Sequence, residues 1–187
     1  LSIWDDLPYP MWNAPFYGSC DMIMGISKQS DNIHREVLKQ NGFEVYDYDS
    51  KEKDQKGIIT GYVPHGLDEN VYTPLAKDDS KYLEMYKQVK EANGADFVVF
   101  WNNRNIRRKQ PGDVILAFKM FNDKLTAEQR SKTMLLMHTT ATDGNGTDLR
   151  AVAKNVAPNC KIVFSESKLS IQDLNAMYNV ADVVVNM

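Results

Sequence analysis

From residue 77 onward the chain switches between two hydrophobic periods. Four short apolar runs, at 96–101, 133–138, 161–165 and 182–186, have the length and the apolar content of strands buried on both faces. Between them the apolar positions take helical spacing. Ser80 can cap a helix with Tyr82, Leu83, Tyr86 and Val89 on one face, closed by Gly94. Pro111 stands in the first turn of a second helix with Val114, Ile115, Phe118 and Phe121 inward. A short helix starts from Asp148, and Ser170 with Asp173 opens a last one carrying Leu174, Met177 and Tyr178. Strands spaced by single helices imply a parallel sheet with right-handed crossovers, the first half of a doubly wound fold. In the usual order, 3-2-1-4, the first and fourth strands flank the switch point, and ligands bind beyond their carboxyl ends. The loop after the first strand is 102–110, and the loop after the fourth would begin at Met187.

The first 68 residues follow a separate pattern. Residues 20–26 read as a strand, and Ser27 caps a helix with Ile33, Val37 and Leu38 inward and Gly42 past its end. Two further strands, 43–48 and 57–63, flank a highly charged turn. This is too little apolar surface for a domain and reads as the closing part of a preceding α/β domain. Pro64-His65-Gly66-Leu67-Asp68 through Pro74 has the turn chemistry of an interdomain linker. The expected division is 1–68, a linker at 69–77, and 78–187. A start at Leu1 and a last strand that reaches Met187 read as an internal fragment of a longer protein.

Composition narrows the chemistry. With 187 residues, 43% of them hydrophobic and 25% charged, the chain can build a good core and is not a disordered one. A formal net charge of −3 argues against nucleic acid as a partner. Cys20 and Cys160 are far apart and read as free thiols of a reducing compartment, while His34, His65 and His138 show no metal-ligand spacing. No run reaches the ~20 apolar residues of a membrane span, so a cytoplasmic protein is expected, with peripheral membrane association left open. No cofactor is expected.

Against that acidic background one segment stands out. Asn102-Asn103-Arg104-Asn105-Ile106-Arg107-Arg108-Lys109-Gln110-Pro111 places four cations between a strand and a helix start. A helix N-terminus offers unpaired N–H groups and partial positive charge, so this loop can hold a phosphate. It can equally be a solvated charge run, with Arg104 in a salt bridge at the strand end and Lys109 in water; Arg107 and Arg108 are expected to face solvent. Gly144-Asn145-Gly146 has the look of a phosphate cradle, yet it lacks a following Lys and follows the second strand, away from the switch point, which favours a plain turn. His138, at a strand end, reads as a packed residue, and Trp4-Asp5-Asp6-Leu7-Pro8 as either an acceptor-cleft or a surface stretch.

Three stretches, with a fourth upstream, resemble the group 1 (family 4) glycosyltransferases of the two-Rossmann-domain GT-B architecture. Tyr62-Val63-Pro64-His65-Gly66-Leu67-Asp68 with Tyr72-Thr73-Pro74 is similar to the family's "v-i-P-x-G-v-D-x-x-x-F-x-P". Arg104, Lys109 and Ala117-Phe118 fall at the spacing of "R-x-x-x-x-K-G…A-F", and Leu169, Leu174 and Tyr178-Asn179-Val180-Ala181-Asp182-Val183 resemble "v…L…Y-x-x-A-D-v". Asp21-Met22-Ile23-Met24-Gly25-Ile26-Ser27 is similar to the "D-x-v-i-a-v-S" that closes the family's acceptor domain. The chain departs in Gln110-Pro111, where the family has Gly, and in His65, where Asn is commoner.

The resemblance implies a partial GT-B fold: the end of an N-terminal Rossmann-like domain and the first half of a C-terminal one. It implies a retaining, metal-independent transfer of sugar from a nucleoside-diphosphate sugar donor to an unidentified glycan, lipid or small-molecule acceptor. Arg104 and Lys109 would bind the donor diphosphate, and Leu169 would meet the nucleotide base through its backbone. The family's catalytic carboxylate pair is expected beyond Met187, so these 187 residues alone are expected to be inactive. Two other readings stay open: a GT-B-fold epimerase or hydrolase-like relative, and a nucleotide-sugar-binding module without chemistry.

Overall fold

A computed structural model of the chain describes residues 13–50 and 56–186. It divides into two compact units, Leu1–Leu67 and Asp68–Met187. The Trp4–Pro8 stretch lies outside the described residues.

In the first unit, helix α1 (Ala14–Gly18) precedes strand β1 (Met22–Gly25), helix α2 (Lys28–Gln40) and strands β2 (Val45–Asp47) and β3 (Ile58–Tyr62). The strands are parallel in the order β1-β3-β2. Ser27 caps α2 as its position predicts, accepting the Ser30 N–H at 3.2 Å, and Gly42 follows the helix with φ +79°. Tyr17, Ile23, Val37, Leu38 and Ile58 form the core. Ile33 is only partly buried, whereas Asp31 and His34 are buried. Hydrophobic spacing alone could not have marked those two polar positions.

The second unit begins with α3 (Ser80–Tyr86), which runs into a single π turn, Lys87–Glu91. Its cap is Asp79, not Ser80: the Asp79 carboxylate accepts the N–H groups of Lys81 and Tyr82 at 2.8 and 3.2 Å, and Ser80 is already helical. Tyr82, Met85 and Val89 point inward and Leu83 is exposed, because spacing from Tyr82 by three and seven residues keeps to one face and by one does not. Then follow β4 (Phe97–Asn102), α4 (Pro111–Asn122), α5 (Ala127–Lys132), β5 (Thr133–His138), α6 (Leu149–Val156), β6 (Lys161–Ser165), α7 (Ile171–Val180) and β7 (Val183–Val184). Helix α5 has no apolar stripe and was not expected; a Thr126–Gln129 capping box holds its start.

All pairings in this sheet are parallel, in the order β6-β5-β4-β7. That is the predicted 3-2-1-4. Successive residues of β4 and β5 face two cores. Val98, Phe100, Met134 and Leu136 meet α3 and α7 through Tyr82, Met85 and Met177. Val99, Trp101, Leu135 and Met137 meet α4 and α6 through Val114, Ile115 and Leu149. The fourth strand is the exception to burial on both faces. Only Val183 and Val184 pair, with Val99 and Phe100, and both are exposed. Phe121 is likewise exposed, though its ring stays within reach of Phe97 and Phe118.

Residues 73–75, within the expected linker, are tied to α7: Asn179 accepts the Leu75 N–H at 2.8 Å, and Asn175 and Asn179 each donate to the Thr73 carbonyl at 3.0 Å. At the amino edge of the sheet the π turn carries Lys90 inward. Its ammonium pairs with Asp182 at 2.7 Å and donates to the Asp96 carbonyl, while Asp182 also accepts the Val98 N–H. Among the described residues no helix is long and apolar enough to cross a membrane.

Candidate functional site

A parallel sheet delivers all its strand-to-helix loops to one edge, so the loops after β4, β5 and β6 meet there. The loop after β4 is the basic one. Arg107–Lys109 form a single 3-10 turn, and Gln110 then takes a left-handed conformation, φ 43° and ψ 48°, before Pro111 starts α4. Gln110 is the one non-glycine residue with positive φ among the described residues. A side chain pays about 1–2 kcal/mol for that conformation, and a following proline narrows the choices further. The resemblance explains where the strain arises, since its pattern has glycine after the lysine. No side chain caps α4; Pro111 has no N–H and Asp113 donates to the Gln110 carbonyl at 3.0 Å, so the Gly112 N–H is the first-turn donor left beside the cations.

Two interactions bind this loop to the one after β5. The Arg104 guanidinium grips Asp143 through two hydrogen bonds, Nε to Oδ2 at 2.9 Å and Nη2 to Oδ1 at 3.3 Å. This pair raises the Arg104 pKa and, together with the Asn145 N–H, holds the Asp143 carboxyl below the usual carboxylate range. Beside it Asn105 is fully buried. Its amide donates to the carbonyls of Thr140, Ala141 and Thr147, and its oxygen accepts the Thr147 N–H. Gly146 lies so close that a Cβ there would come within 2.3 Å of the Asn105 carbonyl oxygen. The glycine loop is a plain turn, closed by Gly146 N–H on the Asp143 carbonyl at 3.0 Å. Its expected remoteness is wrong. β5 pairs directly with β4, and residues 144–147 share with Asn105, Ile106, Arg107, Pro111 and Gly112 a cleft of about 450 Å³.

The rim continues to the loop after β6. Glu166 accepts the Ala141 N–H at 2.7 Å and pairs with Arg150, and these contacts lower its pKa, the Arg150 bond first. His138 sits at the same edge with Nδ1 3.0 Å from the Ser165 hydroxyl; burial lowers its pKa, so it is neutral at pH 7 and packed. On the other side of β4, Asn102 donates to the Tyr178 hydroxyl at 2.9 Å and Asn103 to the Asn186 side chain at 3.0 Å, joining the basic loop to the end of the β7 segment.

Arg104 and Lys109 therefore belong to one loop at the switch point. Arg104 is exposed but already paired. Lys109 is half-buried and, like the exposed Arg107 and Arg108, has no acidic partner among the described residues. Leu169 lies apart from them, just before Ser170, the cap of α7, with its side chain against the α3–α7 core. Its main-chain N–H and C=O make no hydrogen bond among the described residues. Asp143, Asn105 and Glu166 were not anticipated. A Gly-rich turn opening with Asp could have pointed to the first, but the partnership of residues far apart in sequence has no local signal. Both cysteines are free, and burial raises the Cys160 pKa.

No family model matches the sequence, and none of the curated proteins does. Solved structures do match. An α,α-trehalose 6-phosphate synthase from Burkholderia multivorans superposes with a TM-score of 0.70 over 91% of this chain and 39% of its own, at 12% identity. The N-terminal domain of Candida albicans trehalose-6-phosphate phosphatase gives 0.68 over 96% and 41%, at 14% identity. An Escherichia coli structure described as trehalose-6-phosphate bound with UDP-2-fluoro glucose gives 0.65 over 97% and 43%, at 14% identity. The fold is a partial GT-B fold. The chain spans about two-fifths of the length of these structures. They carry the architecture of the resemblance but not its family 4 assignment.

Proposed function

We propose that this chain is part of a glycosyltransferase that takes a sugar from a nucleoside-diphosphate donor, with residues 78–187 on the donor side and 1–68 on the acceptor side. One observation carries the reading: a basic loop with an uncapped helix start stands at the carboxyl edge between β4 and β7, where doubly wound sheets bind ligands. Arg104 and Lys109 hold the diphosphate in this reading. Arg104 spends two of its N–H groups on Asp143, which fixes the plane of the guanidinium and leaves its remaining N–H groups for phosphate oxygens. Together the cations offset the charge that grows on the departing diphosphate, without a metal. The free main-chain groups of Leu169 take the base. The neighbour described as bound with UDP-2-fluoro glucose supports a uridine nucleotide as the first to try. Retention of configuration, a cytoplasmic location and membership of family 4 are part of the same proposal, and the groups that act on the sugar are not assigned.

Titration of the chain with UDP, followed through amide chemical shifts, tests this. Replacing Arg104 and Lys109 together by Ala should weaken binding at least about a hundredfold, since each charge-assisted hydrogen bond contributes roughly 1.5–3 kcal/mol. Replacing Arg107 and Arg108 should change it by less than about threefold. Equal losses from the two pairs would reduce the loop to a diffuse basic patch.

A second reading, a nucleotide-sugar-binding module without transfer chemistry, has one observation in its favour. The same architecture occurs as the N-terminal domain of a protein named for phosphatase activity. UDP binding by the full-length protein without turnover of any UDP-sugar would select it.

A further inference from the structure

The first unit holds a polar cleft of its own, of about 620 Å³, at the carboxyl edge of the β1-β3-β2 sheet. This is within the roughly 300–1,000 Å³ of small-molecule sites. The first half of α2 supplies Lys28, Asp31 and Arg35, and the ends of β2 and β3 supply Asp47, Tyr48 and Tyr62. Arg35 is locked in place. Its Nε donates to Asp31 Oδ2 at 2.9 Å, and its Nη2 reaches Asp47 Oδ2 at 3.0 Å and the Thr60 carbonyl at 3.2 Å. Asp31 is only 7% exposed, and its other oxygen, Oδ1, is buried with no donor among the described residues. A buried carboxylate oxygen without a donor costs free energy that a ligand hydroxyl or N–H can return. The two tyrosines are exposed and flank this acceptor set, with the Lys28 ammonium 5.8 Å from the Tyr62 ring centre. Gly61 belongs to the same construction, because a Cβ there would come within 2.9 Å of the Tyr48 Cβ.

We infer that this cleft binds a neutral polyhydroxylated ring, a sugar, whose hydroxyls donate to the Asp31 and Asp47 carboxylates while its C–H face lies on tyrosine. The charge pattern selects that class. The Arg35 charge is matched by Asp31 and Asp47, which it meets through Nε and Nη2, and the remaining lining charges, Lys28 and Asp49, have opposite sign. A phosphate would meet carboxylates, and an ammonium ligand would meet the fixed Arg35. Immobile acceptors and flat aromatic walls suit a ligand rich in O–H donors. The inference is independent of the donor reading for the second unit and stands or falls without it.

Saturation-transfer NMR on the 187-residue chain, with D-glucose, glucosamine and glucose 6-phosphate as probes, tests the site. The glucose ring protons should receive saturation, and both charged analogues should bind at least about threefold more weakly. Asp31→Asn, which turns an acceptor into a donor, should reduce glucose saturation about tenfold or more. Tyr48→Ala alters an exposed side chain that the core does not need, and should reduce it about fivefold with the melting temperature unchanged. No saturation of glucose, tighter binding of either charged analogue, or unaltered saturation in Tyr48→Ala would each overturn the assignment. UDP shifts read in the same sample report on the second unit alone, so failure of one reading is separable from failure of the other.

Discussion

Both edges of the four-stranded sheet are crossed by an ion pair that ties β4 to the segments around it, and the two pairs are of opposite kinds. At the amino edge the Lys90 side chain is 9% exposed, and Lys90 and Asp182 complete their hydrogen bonding with main-chain groups of Asp96 and Val98. At the carboxyl edge the Arg104 side chain is 64% exposed, and only its Asp143 partner is sheltered. The Asp182 side chain is 32% exposed, but a buried ammonium whose hydrogen bonds are satisfied gives a solution ion little to compete for. An exposed pair exchanges with any anion of suitable geometry, since solvent screens it. Burial, not residue type, makes one pair a fixed joint and leaves the other open to a ligand.

The contrast is broken most directly at Asp182. Asp182→Ala leaves the Lys90 ammonium buried without a counter-charge and the Val98 N–H without its acceptor, and should cost about 3–5 kcal/mol in urea unfolding. A loss below about 1 kcal/mol would place the two pairs in the same class. Asn105→Ala comes next. It should cost about 2–3 kcal/mol by leaving buried main-chain groups of residues 140–147 unpaired, and hydrogen exchange should speed up in that loop while the α3–α7 side keeps its protection. UDP affinity should fall with it, because Asp143 then no longer orients Arg104.

A smaller effect, of opposite sign, is expected at Gln110. Glycine adopts φ 43° without strain, so Gln110→Gly should stabilise the protein by up to about 1 kcal/mol despite the freer unfolded chain. No gain in thermal unfolding would mean that the left-handed turn costs glutamine nothing here. The smallest effect concerns His138. Its folded-state pKa lies below the ordinary 6.5, mainly through burial. The unfolded chain therefore takes up the proton first, and the contribution of His138 to stability is complete above about pH 6.5 and is lost as pH falls through the folded value. His138 proton shifts should titrate below 6.5, and His138→Gln should flatten the melting temperature across that window.

Much of this architecture is legible in the sequence because strands buried on both faces and side-chain caps act locally. The apolar run at 133–138 and the caps Ser27, Asp148 and Ser170 follow from nearest neighbours in the chain, and the sheet order follows from the usual order of doubly wound sheets. What failed was what only the assembled sheet decides. Val183 and Val184 read as interior residues, and exposure at a sheet edge is not a property of two valines. Asp79 and Ser80 are both able to cap, and the backbone chose the earlier one. At the candidate site the cations were visible as a cluster, but their division into a paired Arg104 and an unpaired Lys109 depends on Asp143, which only the adjacency of β4 and β5 brings near.

Gly146 and Asn105 carry a consequence for descent. A Cβ at 146 would come within 2.3 Å of both the main-chain and the side-chain oxygen of Asn105, and a smaller residue at 105 removes only the second while stranding the polar groups around it. Neither position can drift alone without loss. In proteins that share this loop the glycine should persist whatever stands at 105, since the main-chain oxygen it faces is common to every residue. A lineage that loses this glycine must move the backbone of both loops, which makes the contact a natural point of divergence in what the cleft accepts.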